Sequence, residues 1–376
     1  MKQFLKKLKN DHRVLFSIGL DILFVVLLVL VWRSGAVKEL GERIGLTADA
    51  RRITSFLYSD STGEVFAPAG TLIAVGTSDS VSLLDRKGQV VASRELAMSR
   101  PSVDGDAQQA VFADLGGSNV CILRKNGTSA VLTSEYPLLF ADTGSGTNFA
   151  TVTEAPGYCG RVTVYNSLLT PIFSYDSGIS GHPVCARMWD DKLLVVGCIS
   201  SSGSSVRFFS VESEQPYGSF SAEGELLLGM DFLDDGTAAV LTDRRLLMLS
   251  PNGTLRGSYD FGTNFPDEYS LTGSAAAVVL VSNYAADEVS LVTVDAEGQE
   301  LASMPLNSVV TGLSACGDSL LLQFDREVTL YHFDLNEALS YQSGQLVRAL
   351  LSEGDTALLM KSYGASVVPF RSVSRR

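Results

Sequence analysis

A hairpin that returns about every forty residues limits this chain more than any other feature. "VSLLDRKGQVVAS" at 81–93 comes back as "LLMLSPNGTLRGS" at 246–258 and as "VSLVTVDAEGQELAS" at 289–303. Each copy alternates apolar and polar residues, breaks at a glycine-centred turn, and alternates again, which is the period of a β-strand and not of a helix. The turn glycines Gly88, Gly127, Gly253 and Gly298 are spaced 39, 126 and 45 apart, and 126 is three times 42.

A second ruler agrees. "GTLIAVGT", "DKLLVVGC", "GTAAVLTD", "GDSLLLQF" and "GDTALLMK", anchored at Thr71, Lys192, Thr237, Ser319 and Thr356, stand 121, 45, 82 and 37 apart. Degenerate copies at "QQAVFAD", "TNFATVTE" and "SAAAVVLV" fill the gaps and bring the count to eight. In the fifth unit four strands can be traced: "GELLLGMDFL", "GTAAVLTD", "RLLMLSP" and "TLRGSYDF". Four short antiparallel strands per forty residues is a β-propeller blade, and a blade buries its two faces only by stacking in a ring. The expected fold is therefore all-β, an eight-bladed β-propeller, with seven blades as the second choice because the copies between 137 and 190 align least well.

The last unit contains "QLVRALLSE", "DTALLMKS" and "ASVVPFRS" but no outer strand, while "RRITSFLYSD" at 51–60 is a strand without a blade. The N-terminal strand is expected to complete the last blade and so remove the open edges of the ring. The glycine turn itself reads as structural. Asn126-Gly127 and Asn252-Gly253 suit a tight hairpin, whereas a phosphate loop needs a following helix. The two Asn-Gly-Thr triplets are also formal glycosylation sequons.

Ahead of the repeats lies a different kind of sequence. "VLFSIGLDILFVVLLVLVW", Val14 to Trp32, carries one charge, Asp21. At a helical rise, nineteen residues span a hydrocarbon core of about 30 Å. Asp21 costs about 3 kcal/mol near mid-membrane, and the many Leu, Ile, Val and Phe residues together outweigh it. A transmembrane helix at 14–32 is expected, after a basic cytoplasmic tail (1–13, with Lys2, Lys6, Lys7, Lys9 and Arg13) and before a juxtamembrane stalk (33–50). The propeller domain, 51–376, would then be extracytoplasmic. Cleavage near Ser34–Ala36 is the rival reading, but the apolar run exceeds a signal-peptide core. Asp21 could pair with a partner helix or be one tolerated acid.

Charge follows the same division. Residues 1–52 hold ten Lys/Arg and five Asp/Glu, and the remainder holds 19 and 37, a body of −18 within a total of −13. An acidic body without a basic stripe argues against nucleic acid as a partner.

Chemistry is sparse. His12, His182 and His332 are the only histidines, and only His182, in "SGHPV" at the start of a blade, is placed to act. Without a nucleophile or carboxylate partner it reads as a loop residue. Cys121, Cys159, Cys185, Cys198 and Cys316 lack CxxC spacing, so they read as buried free thiols and not as a zinc site. Cys185 and Cys198 should lie on adjacent strands, out of register. The acidic pairs Asp104/Asp106, Asp190/Asp191, Asp234/Asp235 and Asp267/Glu268 could line one rim for a cation or a basic partner, but turn chemistry explains them more simply. Trp189-Asp190 is expected to begin a strand, which does not meet the WD40 signature. No catalytic, metal or cofactor-binding residue is assigned, and no cofactor is expected.

With the "LLD..G" hairpins and the anchor in place, the chain resembles an uncharacterised family of Gram-positive bacterial proteins, a domain of unknown function with one membrane span and an extracytoplasmic propeller. Its blades resemble WD40-like and quinoprotein-like propellers more loosely. No functional residue carries over. Trp32 and Trp189 are the only tryptophans, so the Trp-docking repeats of quinoproteins are absent, as are the Asp-box hairpins of sialidases. The resemblance implies a membrane-anchored binding scaffold at the cell envelope, with a protein or cell-wall partner and membrane lipid around 14–32. The alternative is an extracytoplasmic hydrolase or lyase with its site at the ring centre.

Overall fold

The repeat units become eight four-stranded antiparallel sheets in a computed structural model that describes residues 53–58, 64–178, 181–282 and 288–370. Blades 1 to 7 are β2–β5 (65–95), β6–β9 (101–133), β10–β13 (138–177), β14–β17 (182–223), β18–β21 (227–260), β22–β25 (265–306) and β26–β29 (312–342). Blade 8 takes β30 (Arg348–Ser352), β31 (Thr356–Met360) and β32 (Gly364–Pro369) from the end of the chain. Its fourth strand is β1 (Thr54–Leu57), paired antiparallel to β32 with Thr54 opposite Val367 and Leu57 opposite Gly364. The eight-blade count and the closure by the N-terminal strand are both borne out, and the seven-blade alternative falls. The segments expected as tail, membrane span and stalk lie outside the described residues.

The ring's geometry follows from which strands touch. First strands of successive blades meet (β2 with β6, β6 with β10, β10 with β14, β14 with β18, β22 with β26, β26 with β30), and β30 returns to β2. They therefore line the centre. Second strands are pressed between neighbours on both faces: Leu72–Gly76, Ala238–Thr242 and Ser319–Gln323 are buried at every position. That explains their unbroken apolar runs, because alternation marks a strand with one wet face. Fourth strands such as Leu255–Asp260 sit at the rim and alternate.

Successive residues of one second strand serve different interfaces. Ala74, with Leu72 and Leu83, packs against Ala110, Phe112 and Leu123 of blade 2. Ile73 and Val75, one residue out of phase, pack against Leu358, Met360 and Val367 of blade 8. The two-residue period of a strand thus splits each blade's apolar side chains between two cores.

The opening hairpin is the outer hairpin of blade 1. Gly88 N–H donates to Asp85 O (2.9 Å), Asp85 N–H donates to Gln89 O (2.9 Å), and Gly88 takes φ +80°. A type I turn closed by a left-handed residue produces this pattern. Gly127, Gly253 and Gly298 repeat it at φ +84°, +80° and +74°. Blades 3 and 7 make the same turn with leucine, Leu169 at φ +62° and Leu335 at φ +58°. A search for glycine passes over both hairpins, which is why blade 3 aligned poorly. Gly88 also has a tertiary role: a Cβ there would lie 2.3 Å from the Phe56 ring of the closing strand.

Candidate functional site at the ring centre

Edge strands leave one row of backbone N–H and C=O groups without sheet partners, and every first strand here is an inner edge. In five of the blades the chain answers with a polar side chain on the inner strand. Asp104, on β6 (Pro101–Gly105), accepts from Thr143 N–H of the next blade at 3.0 Å. Asp142, on β10 (Leu138–Thr143), accepts from Met188 N–H at 3.0 Å. Ser270 accepts from Ala315 N–H (3.0 Å) and Ser314 from Leu351 N–H (2.9 Å). Arg187, on β14 (His182–Met188), reverses the polarity, its Nε–H donating to Met230 O at 3.1 Å. Each clasp joins one inner strand to the next.

In blades 2 to 5 these residues form a charged cluster. Arg187 Nη1 bonds Asp142 Oδ1 and lies 3.7 Å from Asp104 Oδ1, while Nη2 lies 3.5 Å from Asp231 Oδ2, on β18 (Leu227–Phe232). The guanidinium sits 5.2 Å from the Phe140 ring centroid, an added cation–π contact. Asp142 keeps 2% of its side-chain surface exposed, and Asp231 keeps 32% open to the channel. Burial pushes the Asp142 carboxyl well above the ordinary range against the lowering pull of Arg187, and Asp104 and Asp231 push it further up. Burial likewise raises Asp231, with Asp104 adding to the effect. Three carboxyls thus surround one guanidinium in a low-dielectric site, and burial together with like-charge repulsion holds Asp142 and Asp231 above their ordinary range.

Next to the cluster a cavity of about 340 Å³ lies between blades 4, 5 and 6, lined by Val184, Ile199, Leu228 and Tyr269 above Phe140, Arg187 and Asp231. Tyr269 O–H donates to Leu228 O (3.1 Å), and its ring rests on Gly229, where a Cβ would come within 2.6 Å of it.

The residues singled out from sequence do not gather here, with the exceptions of Asp104 in the cluster and Cys185 in the cavity wall. His182 is exposed, its Nδ1 hydrogen-bonded to Cys159 O at 3.0 Å. His332 ends β28 (Glu327–His332) in blade 7, and His12 lies outside the described residues. All five cysteines are free, with Cys121 and Cys198 buried and the other three half-buried. Cys198 faces Pro183 and Cys185 faces Gly197, the offset expected.

Turn chemistry accounts for part of the acidic set. Asp106 accepts from Gln109 N–H, Asp190 from Lys192 and Leu193 N–H, and Asp235 from Thr237 N–H. It fails for Asp104, which faces the channel. It fails also for Asp191, which bridges to Thr147 and Asn148 N–H of blade 3, and for Asp267/Glu268, inside β22 (Phe265–Ser270). Trp189-Asp190 follows the end of β14 instead of beginning a strand, which corrects that expectation. Among the described residues no group of three or more His, Cys, Asp or Glu is placed to hold a metal ion.

Sequence reading missed Arg187, Asp142 and Asp231. Their signal was the repeat itself: Asp104, Asp142, Arg187 and Asp231 stand 38, 45 and 44 residues apart, one blade each.

The fold has solved counterparts. The C-terminal WD40 domain of Sif2 matches at 16% identity and TM-score 0.60, covering 84% of this chain and 98% of that one. BamB from Moraxella catarrhalis matches at 12% identity and TM-score 0.58, covering 84% and 99%. Identities this low establish the propeller architecture alone. No curated protein matches the sequence. Over residues 49–368, which take in every strand from β1 through the first five residues of β32, the chain belongs to DUF5711, a family of unknown function.

Proposed function

We propose that this protein is a membrane-anchored, extracytoplasmic β-propeller that serves as a binding scaffold at the cell envelope, with no catalysis of its own. One observation carries this reading. Three of the charged groups that converge at the ring centre are spent on holding the ring: Asp104 and Asp142 clasp the next blade's backbone, and Arg187 ties neighbouring carboxylates and a carbonyl together. Groups fixed in this way build a rigid ring with large outer surfaces, where propellers bind partners. The anchor rests on the apolar run 14–32 and its basic flank.

Crosslinking in intact cells tests the scaffold reading. A specific partner should be recovered with the whole protein and lost when the propeller is removed, and recovery equal to that of the anchor alone refutes it. External protease on whole cells tests the topology, since a fully protected propeller would overturn it.

The hydrolase or lyase reading has one observation in its favour: carboxyls with raised pKa converge at the centre. Arg187 lies among them as counter-ion, and Asp142 is closed to substrate at 2% exposure. A catalytic role for Asp231 predicts loss of an envelope-associated activity in Asp231→Asn with the fold intact.

A further inference from the structure

Each blade is an antiparallel run of four strands, so all first strands cross the ring in one direction and their starts collect at one mouth of the channel. The two mouths differ in chemistry. Where first strands end, the turns carry Asp106, Asp190, Asp234, Asp318 and Asp355. Where they begin, large apolar side chains stand exposed: Leu139, Val184, Leu226, Leu228 and Val347. The first four stand on three successive blades, 3 to 5, and an exposed apolar group of this kind on a ring otherwise rich in acid marks a docking site. The 340 Å³ cavity shares Val184 and Leu228 with this mouth, and its floor is Arg187 and Asp231.

The floor's charge selects the occupant. Of the charged cluster Arg187 and Asp231 line the cavity, and Arg187 is already held by Asp142, by Met230 O and against Phe140. Asp231 Oδ2, 3.5 Å from Nη2, is beyond a good hydrogen bond and keeps accepting capacity. The cluster around the Arg187 guanidinium has an acidic excess, three carboxyls to one cation, within a body of net −18. An anion would meet repulsion, whereas a cation on an apolar stem would find both the walls and the floor complementary. A free amine would leave the surrounding apolar side chains uncovered, and a polypeptide segment would cover them.

We propose that this mouth docks an apolar segment of a partner protein, with one lysine or arginine of that segment lodged in the cavity beside Asp231. The inference rests on the scaffold reading and adds the chemistry of the partner. Full-length protein in detergent micelles is titrated with fluorescein-labelled Leu-Val-Lys-Val-Leu and with the same peptide carrying norleucine in place of lysine. The lysine peptide should bind at least about tenfold tighter at low salt, with the preference shrinking as salt is raised. Asp231→Asn should erase the preference, and Val184→Ser, at an exposed position, should weaken both peptides.

Because Asp231→Asn could disturb the fold, its thermal midpoint is read alongside, and the salt series on the unaltered protein stands as a second measurement. Equal binding of the two peptides, binding of neither, or a preference that survives in a folded Asp231→Asn protein overturns the proposal. A partner crosslinked in cells only through the acidic face would overturn it too, while leaving the scaffold reading standing.

Discussion

Arg187→Met keeps much of the side chain's length and apolar bulk while removing the only guanidinium of the central cluster. Asp142, 2% exposed, then faces Asp104 and Asp231 without a counter-ion, and Met230 O loses its donor. Breaking one partner out of a buried pair costs about 3–5 kcal/mol. Unfolding entropy of about 2.1 cal/mol/K per residue over roughly 320 residues gives ~0.7 kcal/mol/K, so the melting point should fall by about 4–7 °C.

The sign of the pH dependence is fixed as well. Asp142 and Asp231 are acids raised above their unfolded value. The native state therefore binds more protons than the unfolded chain, and stability falls as pH climbs from about 4 through the folded pKa. Without Arg187 that window extends upward, so the variant should lose more stability between pH 5 and pH 8 than the parent does. Urea unfolding at both pH values measures this. Adding Asp142→Asn should recover part of the loss, which makes the pair non-additive. A variant within about 1 kcal/mol of the parent, with the same pH profile and additive double-mutant behaviour, would show that the cluster does not hold the ring.

Other parts of the ring give sharper local tests. Gly88→Ala should cost clearly more than Gly116→Ala in urea unfolding: both sit near φ +80°, but only the Gly88 Cβ meets Phe56, and Gly116 opens onto empty space. Strain alone accounts for about 1–2 kcal/mol. Removing residues 1–58 deletes β1 and uncovers the β32 edge, so gel filtration should show aggregation, whereas removing 1–50 should leave the propeller's elution unchanged. Asp191→Ala should lower stability by about 1–3 kcal/mol and speed hydrogen exchange at Thr147 and Asn148, whose N–H groups it accepts at 2.9 and 3.0 Å. Burial pushes the Cys121 thiol to about 11 and the Cys185 thiol to about 12, so neither should react with iodoacetamide at pH 8 until urea unfolds the ring.

The blade count, the strand order within a blade and the closing strand were all legible in the chain. Strand period and turn glycines are local features that recur along the chain, the strands in all eight blades and the glycine in four of them, and against that repeat the missing outer strand stands out. Legibility stopped where a blade departed from local preference. Leu169 and Leu335 adopt the left-handed turn conformation without glycine while packing against the buried cores shared by blades 2 and 3 in one case and blades 6 and 7 in the other. Asp191 looked like a turn residue and proved to be a bridge between blades.

Membrane placement was argued from an apolar run and a basic flank, because insertion depends on composition along the chain. The central cluster belongs to tertiary structure alone. Asp104, Asp142, Arg187 and Asp231 are ordinary charged residues some forty positions apart, and only closure of the ring brings them within about 4 Å of one guanidinium. Sequence period set how many blades there are, because a strand's alternation and a turn's φ are decided within a few residues. Which side chains meet at the centre, and with what excess of charge, was decided by the ring, because burial and Coulomb energy depend on distances that no local segment contains.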